Sequence, residues 1–134
     1  MKILLDTHIA IWAIAQSDRL GDDLRRMLAS RENVVYYSLV SVWEIAIKHA
    51  LRPENMPISE ERFVELCDRV GFAQRSVSAE HLFAVKGLVR AEGAPRHNDP
   101  FDRLLIAQAK VDGMRFVTHD SLLPSYGEPC LILV

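Results

Sequence analysis

The chain of 134 residues contains only two cysteines, Cys67 and Cys130, and they belong to no CxxC or Cys/His cluster. This scarcity excludes a disulfide scaffold and argues against a zinc site. Long apolar runs are also missing, since the longest, residues 9–15, falls far short of the roughly 18 residues that a membrane span requires. Asp6 interrupts the apolar stretch that a signal peptide would need. We therefore expect a soluble, cytoplasmic protein with no membrane partner.

Charge of one sign is not in excess, because 16 Lys and Arg residues accompany 18 Asp and Glu residues for a net charge of -2. No global field would draw such a protein to nucleic acid, so a nucleic-acid ligand would need a local basic rim. Glycine and proline are sparse at six each, and 49% of residues are hydrophobic, which excludes disordered and collagen-like chains. At this length we expect one domain, residues 1–134.

Short apolar runs separated by helix-length segments predict the fold class. Four runs indicate buried strands, at residues 2–5, 34–37, 115–118 and 130–134. A weaker fifth run lies near residues 72–77. Helical periodicity predicts helices over residues 8–15, 21–30, 40–51, 59–70, 78–90 and 100–112. No Asn-Gly or Asp-Gly turn joins two of these strands directly, which favours parallel strands with helical crossovers. The predicted fold class is α/β, with a mostly parallel sheet of four to five strands.

Two of the predicted strands are followed by an aspartate, Asp6 after the first and Asp120 after residues 115–118. Ligands of open α/β sheets bind outside the carboxyl ends of the parallel strands, so both acids lie where a site is expected. Aspartate is also a common helix N-cap or turn residue at such junctions. Position alone leaves both interpretations open.

Glu44 is a charge inside an otherwise apolar helical stretch, residues 41–47. A buried carboxylate is costly unless it is paired or bound to a cation. Lys48, four residues further on, is its ordinary helical partner. The first turns of a helix that follows a strand also lie at the carboxyl edge of the sheet. Glu44 can therefore pair with Lys48 or face the same pocket as Asp6.

Two acids open the apolar helix predicted over residues 100–112. Asp99 is predicted as the N-cap, with Pro100 at the first helical position and Asp102 at the third. Asp99 and Asp102 are three residues apart and share a helix face. Because a helix N-terminus favours carboxylates, capping and a place in an active site are compatible.

Together these acids would form one carboxylate cluster at one edge of the sheet: Asp6, Glu44, Asp99, Asp102 and Asp120. Like charges that close cannot all remain ionised and unpaired, so either some are protonated or a cation lies among them. Carboxylates without a Cys or His ligand pair suit Mg²⁺ or Mn²⁺ rather than zinc. Such a centre hydrolyses phosphodiester bonds with activated water and needs no nucleophilic side chain.

The chain resembles PIN-domain ribonucleases, and among these most the VapC toxins of bacterial type II toxin–antitoxin systems. The resemblance spans nearly the whole chain and rests on four motifs, residues 1–8, 41–45, 99–109 and 116–120. It implies a three-layer α/β/α sandwich and Mg²⁺- or Mn²⁺-dependent endonucleolytic cleavage of RNA. It also implies the catalytic, metal-site role for Asp6, Glu44, Asp102 and Asp120.

Asp99 departs from the common family pattern, in which a single acid opens this helix. Alignment on the apolar run 104–107 matches Asp102 to the family position, whereas Asp99 belongs to a subgroup with Asp-Pro-Phe-Asp-Arg. A metal-ligand role for Asp99 therefore stays open beside its role as a cap. Thr7 and Thr118 are candidates to orient the neighbouring acids, or are ordinary turn hydroxyls.

Basic side chains flank the acids along the chain. Arginine or lysine among them would suit contacts with RNA phosphates. Lys48 and Arg103 would equally serve to neutralise the carboxylates when no metal is bound, and the histidines are expected to be turn or core residues. The flanking set is His8, Lys48, Arg52, Arg96, His97, Arg103 and His119.

The resemblance also implies two protein partners: a small antitoxin whose tail lies in a groove near the acids, and a second copy of the chain. The helix at residues 9–15 is more apolar than one core-facing stripe requires, which fits a homodimer interface. Burial of this helix between the sheet and a neighbouring helix is the alternative.

Two other functions compete with the ribonuclease. A phosphoacceptor receiver domain wants adjacent acids after its first strand, but Asp6 is followed by Thr7 and His8. A catalytically inactive PIN-like scaffold that binds RNA or protein is disfavoured because all four acids are present. No base-recognition motif indicates which RNA would be cut.

Overall fold

The protein, described over residues 1–134 by a computed structural model, contains five strands and six α-helices. The strands are β1 (Lys2–Leu5), β2 (Val34–Ser38), β3 (Ala73–Arg75), β4 (Arg115–Thr118) and β5 (Leu131–Leu133). The helices are α1 (Thr7–Ile14), α2 (Asp22–Ala29), α3 (Leu39–Leu51), α4 (Glu60–Arg69), α5 (Ala79–Val85) and α6 (Pro100–Asp112). A short 3₁₀ helix, Leu123–Tyr126, lies between β4 and β5.

All strand pairs are parallel, and the order in the sheet is β3-β2-β1-β4-β5. The chain builds outward from β1 through β2 to β3, and then on the other side of β1 through β4 to β5. The direction of winding reverses between β1 and β4, which makes the carboxyl ends of these two strands the topological switch point. The predicted parallel α/β sheet is confirmed.

Side chains of β1 alternate between two apolar clusters, one on each face of the sheet. Ile3 and Leu5 pack with residues of α1, α2 and α4. Leu4 packs with Phe116 of β4 and with the apolar side of α6. Because helices cover both faces, the molecule has the predicted α/β/α layers.

Helix α5 is shorter than predicted. Periodicity predicts a helix over residues 78–90, whereas α5 ends at Val85. Gly87 follows in the next turn and has a low helix propensity. Leu88 then turns into the apolar cluster beside α6, where it is buried. The other predicted helices agree closely with the observed bounds.

Helix α6 begins and ends as predicted, which determines where its acids lie. The Asp99 carboxylate accepts hydrogen bonds from the backbone N–H groups of Phe101 and Asp102, and Pro100 is the first helical residue. Gly113 ends the helix at φ +66°, a left-handed conformation that favours glycine. Six consecutive residues of the helix, 104–109, are buried.

No helix in the protein combines the length and the apolarity that crossing a bilayer would require.

Candidate active site

Asp6 lies at the carboxyl end of β1, and both its carboxylate oxygens are held. Its Oδ1 accepts a hydrogen bond of 2.7 Å from the N–H of Thr7, because Asp6 is the N-cap of α1. Its Oδ2 accepts one of 2.6 Å from the hydroxyl of Thr118, the last residue of β4. Asp6 is buried, at 7% exposure. Of the two roles that the sequence left open for Asp6, the N-cap is observed, and its position at the switch point is compatible with the other, a place in a functional site, which stays a prediction.

Glu44 of α3 reaches the same edge and is almost fully buried, at 3% exposure. Its Oε1 accepts a hydrogen bond of 2.6 Å from the hydroxyl of Thr7. Its Oε2 forms an ion pair with the ammonium group of Lys48. Glu44 therefore pairs with Lys48 and also lies beside the residue that follows Asp6. Thr7 and Thr118 orient neighbouring acids, as one of the two interpretations of these hydroxyls predicts.

Asp120 follows β4 in a tight turn and is partly exposed. Its Oδ1 accepts a hydrogen bond of 2.9 Å from the N–H of Leu122. Its own N–H donates to the hydroxyl of Thr118 at 3.1 Å. The Thr118 hydroxyl thus accepts from Asp120 and donates to Asp6, which holds the two strand-end acids in a defined relation.

Asp102 projects from the first turn of α6 toward Asp120. Ligand atoms of Asp102, Asp120 and His97 lie within 4.8 Å of one another. The Asp102 Oδ2 is 3.0 Å from His97 Nε2, whereas Oδ1 accepts no hydrogen bond within the protein. Asp99, one turn earlier, uses Oδ1 alone in capping α6. Both α6 acids therefore keep a free oxygen.

Asp102 interacts electrostatically with each of the other four predicted acids. Burial, together with the charges of the other four acids, raises the pKa of Asp102 to about 8, the four being Asp6, Asp99, Glu44 and Asp120. Burial also raises the pKa of Asp6, against the opposing hydrogen bonds from Thr118 and Thr7. The cluster thus holds more negative charge than its protein surroundings neutralise.

One cation, Lys48, contacts the cluster directly. Burial lowers the pKa of the Lys48 ammonium, but the hydrogen bond to Glu44 and the charges of Asp99 and Asp102 outweigh burial, and the pKa is raised. Arg103, the other residue considered for neutralisation, is directed elsewhere. It donates to the Tyr126 hydroxyl at 3.2 Å and to a backbone carbonyl of α5.

His97 is the site residue that sequence reasoning missed, since it was expected to be a turn or core histidine. It is buried at 8% exposure, with Nδ1 2.8 Å from the Tyr126 hydroxyl and Nε2 beside Asp102. The available signal was its place two residues before the Asp99 cap, which brings it to the first turn of α6. Its partner Tyr126, far along the chain, was not foreseeable from spacing.

The donor set fits a hard divalent cation. Carboxylate oxygens dominate it, and one oxygen each of Asp102 and Asp120 lies within 4.8 Å of the other. The imidazole of His97 has its Nε2 engaged by Asp102, so it supports a carboxylate rather than competing as a ligand. Divalent charge among these acids would relieve the repulsion that, after burial, raises the pKa of Asp102.

The cluster opens to solvent through a cavity of about 220 Å³, which includes Asp6 and Asp120 in its wall. Trp12 of α1 lies at its side, 5.3 Å from the ring of His119 in an edge-to-face arrangement. The Arg19 guanidinium lies 5.4 Å from the centre of the Trp12 ring. Water and a ligand of modest size can therefore reach the acids.

Comparison with known proteins gave one family and a fold. The family model described as PIN domain matches residues 3–129. The fold is similar to a crystal structure of VapBC2 from Rickettsia felis bound to a DNA fragment from their promoter, with a TM-score of 0.67 and 19% identity over 100% of this chain and 98% of that chain. No curated protein matches the sequence. At this identity the structural likeness concerns the fold alone.

Proposed function

The chain belongs to the PIN domain family, and from this premise we propose that it is a divalent-metal-dependent endoribonuclease, the VapC-type toxin of a toxin–antitoxin pair. The observation that carries the proposal is the convergence of five carboxylates at the switch point, with the pKa of Asp102 raised to about 8. Repulsion of this size is unfavourable in the protein alone and becomes favourable when a divalent cation lies among the acids.

Asp6, Glu44, Asp102 and Asp120 would hold the cation, and Asp99 is a further candidate through its free oxygen. Mg²⁺ or Mn²⁺ bound there would supply an activated water and would stabilise the charge that develops on phosphorus. Thr7 and Thr118 keep the Glu44 and Asp6 carboxylates turned toward the centre. The protein side chains would then position the reacting groups and place charge around them.

Water is the nucleophile in this proposal because the side chains among the acids are already engaged. The hydroxyls of Thr7 and Thr118 donate to carboxylates. Lys48 is ion-paired with Glu44. No free thiol lies in the cluster, since Cys67 and Cys130 belong to the apolar clusters of the two sheet faces.

The toxin part of the proposal adds two protein partners, a cognate antitoxin and a second copy of the chain, in the cytoplasm. The fold likeness to a toxin–antitoxin complex supports the first. Helix α1 supports the second, because Ile9 and Ala10 are buried while four successive residues, 11–14, stay partly exposed although they are apolar. The whole function would reside in one domain, residues 1–134.

The test is cleavage of total RNA by the purified chain in Mn²⁺, in Mg²⁺ and in EDTA. We expect cleavage with either metal and none in EDTA. Asp6→Asn should abolish it, whereas Asp22→Asn, the same change at an exposed acid of α2, should not. Retained RNA binding without cleavage in any metal would identify an inactive scaffold and overturn the enzymatic proposal.

A further inference from the structure

A second cavity, larger than the one described above, adjoins the acids on the other side of His8. It measures about 380 Å³, a size typical of ligand sites. It lies between the start of α1, the end of α3 and the loop after α3. Six side chains form its wall: His8, Lys48, Leu51, Arg52, Asn55 and Met56.

The wall of this cavity is cationic in a protein that carries a net charge of -2. Arg52 is exposed, and its guanidinium forms no ion pair or hydrogen bond within the protein. Lys48 uses one of its donors in the ion pair with Glu44 and is 42% exposed. His8 and Asn55 are exposed and add further hydrogen-bonding groups. Free donors therefore point into the cavity from several directions.

Two side chains join this cavity to the acid cluster. Lys48 lines the cavity and contacts Glu44. His8 lines both this cavity and the smaller one that contains Asp6 and Asp120. A chain of phosphates laid across the acids would therefore continue toward the cationic wall.

Resting on the proposed ribonuclease function, we propose that this cavity, with Arg52 as its principal contact, binds the RNA phosphate that neighbours the scissile one. Five clustered carboxylates repel a polyanion, and the small net charge supplies no compensating field. Cations placed beside the acids offset that repulsion where the strand must pass. They thus provide the local basic rim that the composition requires of a nucleic-acid ligand.

The lining favours a phosphate over a base. Bases of single strands are held by stacking on aromatic rings, and the wall of this cavity contains no Phe, Tyr or Trp ring, its one ring being the imidazole of His8. Its apolar members, Leu51 and Met56, are two of the six lining residues. Phosphate recognition by Lys and Arg needs charge and donors alone, and both are present.

Charge variants of opposite sign test the cavity on the intact protein. Arg52→Gln removes one cation from the cavity, and Asn55→Lys adds one. The control is Arg31→Gln, which makes the same change as Arg52→Gln at an exposed position before β2, at the opposite edge of the sheet. Binding of a fluorescent single-stranded RNA is measured by anisotropy in Ca²⁺, with a gel to verify that the RNA stays intact. KM and kcat are measured in Mn²⁺.

We expect Arg52→Gln to raise Kd and KM by up to about fivefold and to lower the slope of log Kd against log salt by about 0.7, with kcat little changed. Asn55→Lys should shift Kd and the salt slope in the opposite direction. Arg31→Gln should match the wild type. Equal Kd values for all four proteins would overturn the proposal.

An RNA substrate with one uncharged linkage identifies which phosphate the cavity binds. After the cleavage site is mapped, substrates are made with one methylphosphonate on either side of the scissile bond. One of them should weaken wild-type binding about as much as Arg52→Gln does, and Arg52→Gln should then add no further loss. Additive losses for every substrate would contradict the assignment. A wild-type protein that cleaves no RNA in any metal would instead contradict the proposed function, whatever the charge variants show in binding.

Discussion

His97 and Asp102 form a contact of 3.0 Å between Nε2 and Oδ2, and the other ring nitrogen of His97 lies 2.8 Å from the hydroxyl of Tyr126. Tyr126 is in turn contacted by Arg103, whose guanidinium lies 5.6 Å from the centre of the tyrosine ring. A row of side chains therefore supports Asp102, whose pKa is raised by burial and by the neighbouring acids. Its Oδ2 is held by the imidazole, and its Oδ1 accepts no hydrogen bond within the protein.

Removing that support should weaken metal binding. We expect His97→Ala to lower Mn²⁺ affinity by about tenfold, the lower end of the effect of losing an outer-shell partner. His97→Gln, whose amide can donate to Oδ2, should recover part of the loss. Isothermal titration with Mn²⁺ measures the affinity of both variants. Tyr126→Phe is the control, because it removes a hydroxyl that contacts His97 rather than Asp102. Equal affinity of His97→Ala and wild type would show that the contact does not orient the carboxylate.

Asp6→Asn should abolish cleavage without damaging the fold. Removing one carboxylate from a metal centre costs several kcal/mol of transition-state stabilisation, so activity should fall by about a thousandfold. Asparagine remains a good N-cap for α1, and one charge fewer relieves repulsion. Urea unfolding in EDTA should give a free energy of unfolding equal to or above that of the wild type. Gross unfolding of the variant would assign Asp6 a structural role alone.

Stability without metal should fall as pH rises. Burial and four neighbouring charges hold the pKa of Asp102 at about 8 in the folded protein, against 3.8 as its ordinary value. Between these two pKa values the folded state therefore binds more protons than the unfolded state. The contribution of Asp102 to the free energy of unfolding is full below the lower pKa and is lost as pH rises through the higher one. The raised pKa of Asp6 acts in the same direction.

Urea unfolding in EDTA between about pH 5 and about pH 9 measures the decrease in the free energy of unfolding. We expect this decrease to be on the order of a few kcal/mol. Asp102→Asn should flatten the profile, and Mn²⁺ should restore wild-type stability most at the alkaline end. A wild-type profile with the same slope as Asp102→Asn would contradict the assignment.

The two acids of α6 should differ in importance. Asp102→Asn should lose nearly all cleavage, because Asp102 faces Asp120 and His97 across the cluster. Asp99→Asn should keep more activity, since asparagine preserves the cap of α6 and only one free oxygen is changed. Cleavage rates of the two variants in Mn²⁺ decide between them. Normal cleavage by Asp102→Asn with loss in Asp99→Asn would reverse the assignment.

Product ends should bear 5′-phosphate and 3′-hydroxyl groups, because water attacks phosphorus and the 3′ oxygen leaves. The 2′-hydroxyl of RNA takes no part in this step. End mapping by ligation and by phosphatase treatment distinguishes the outcomes. Cyclic 2′,3′-phosphate ends formed in EDTA would indicate a different mechanism.

The strand ends and their acids were predictable because each is encoded locally. Asp6 and Asp120 follow short apolar runs, and Asp99 and Asp102 accompany a proline that starts a helix. Parallel topology then brings these local features to one edge. Glu44 was predictable for a different reason, since a charge in an apolar helix face requires a partner.

The contacts that support the site were not predictable, because they join positions far apart in sequence. Arg103 was considered for neutralising the acids but instead contacts Tyr126, 23 positions further on. A similar contact joins Arg75 of β3 to Asp112 at the end of α6, and His81 donates to the same carboxylate. No spacing rule specifies such pairs, since they depend on how the helices pack on the sheet.

The hydrogen bond from Thr118 to Asp6 joins residues 112 positions apart, and β4 is the neighbour that completes β1. During synthesis on a ribosome, Asp6 emerges long before Thr118 and Asp120 exist. A nascent or prematurely terminated chain therefore lacks a wall of the catalytic centre and leaves one edge of β1 unpaired. Such contacts of long sequence separation form slowly. In the toxin proposed above, the chain would therefore be inactive during the interval between translation and completed folding.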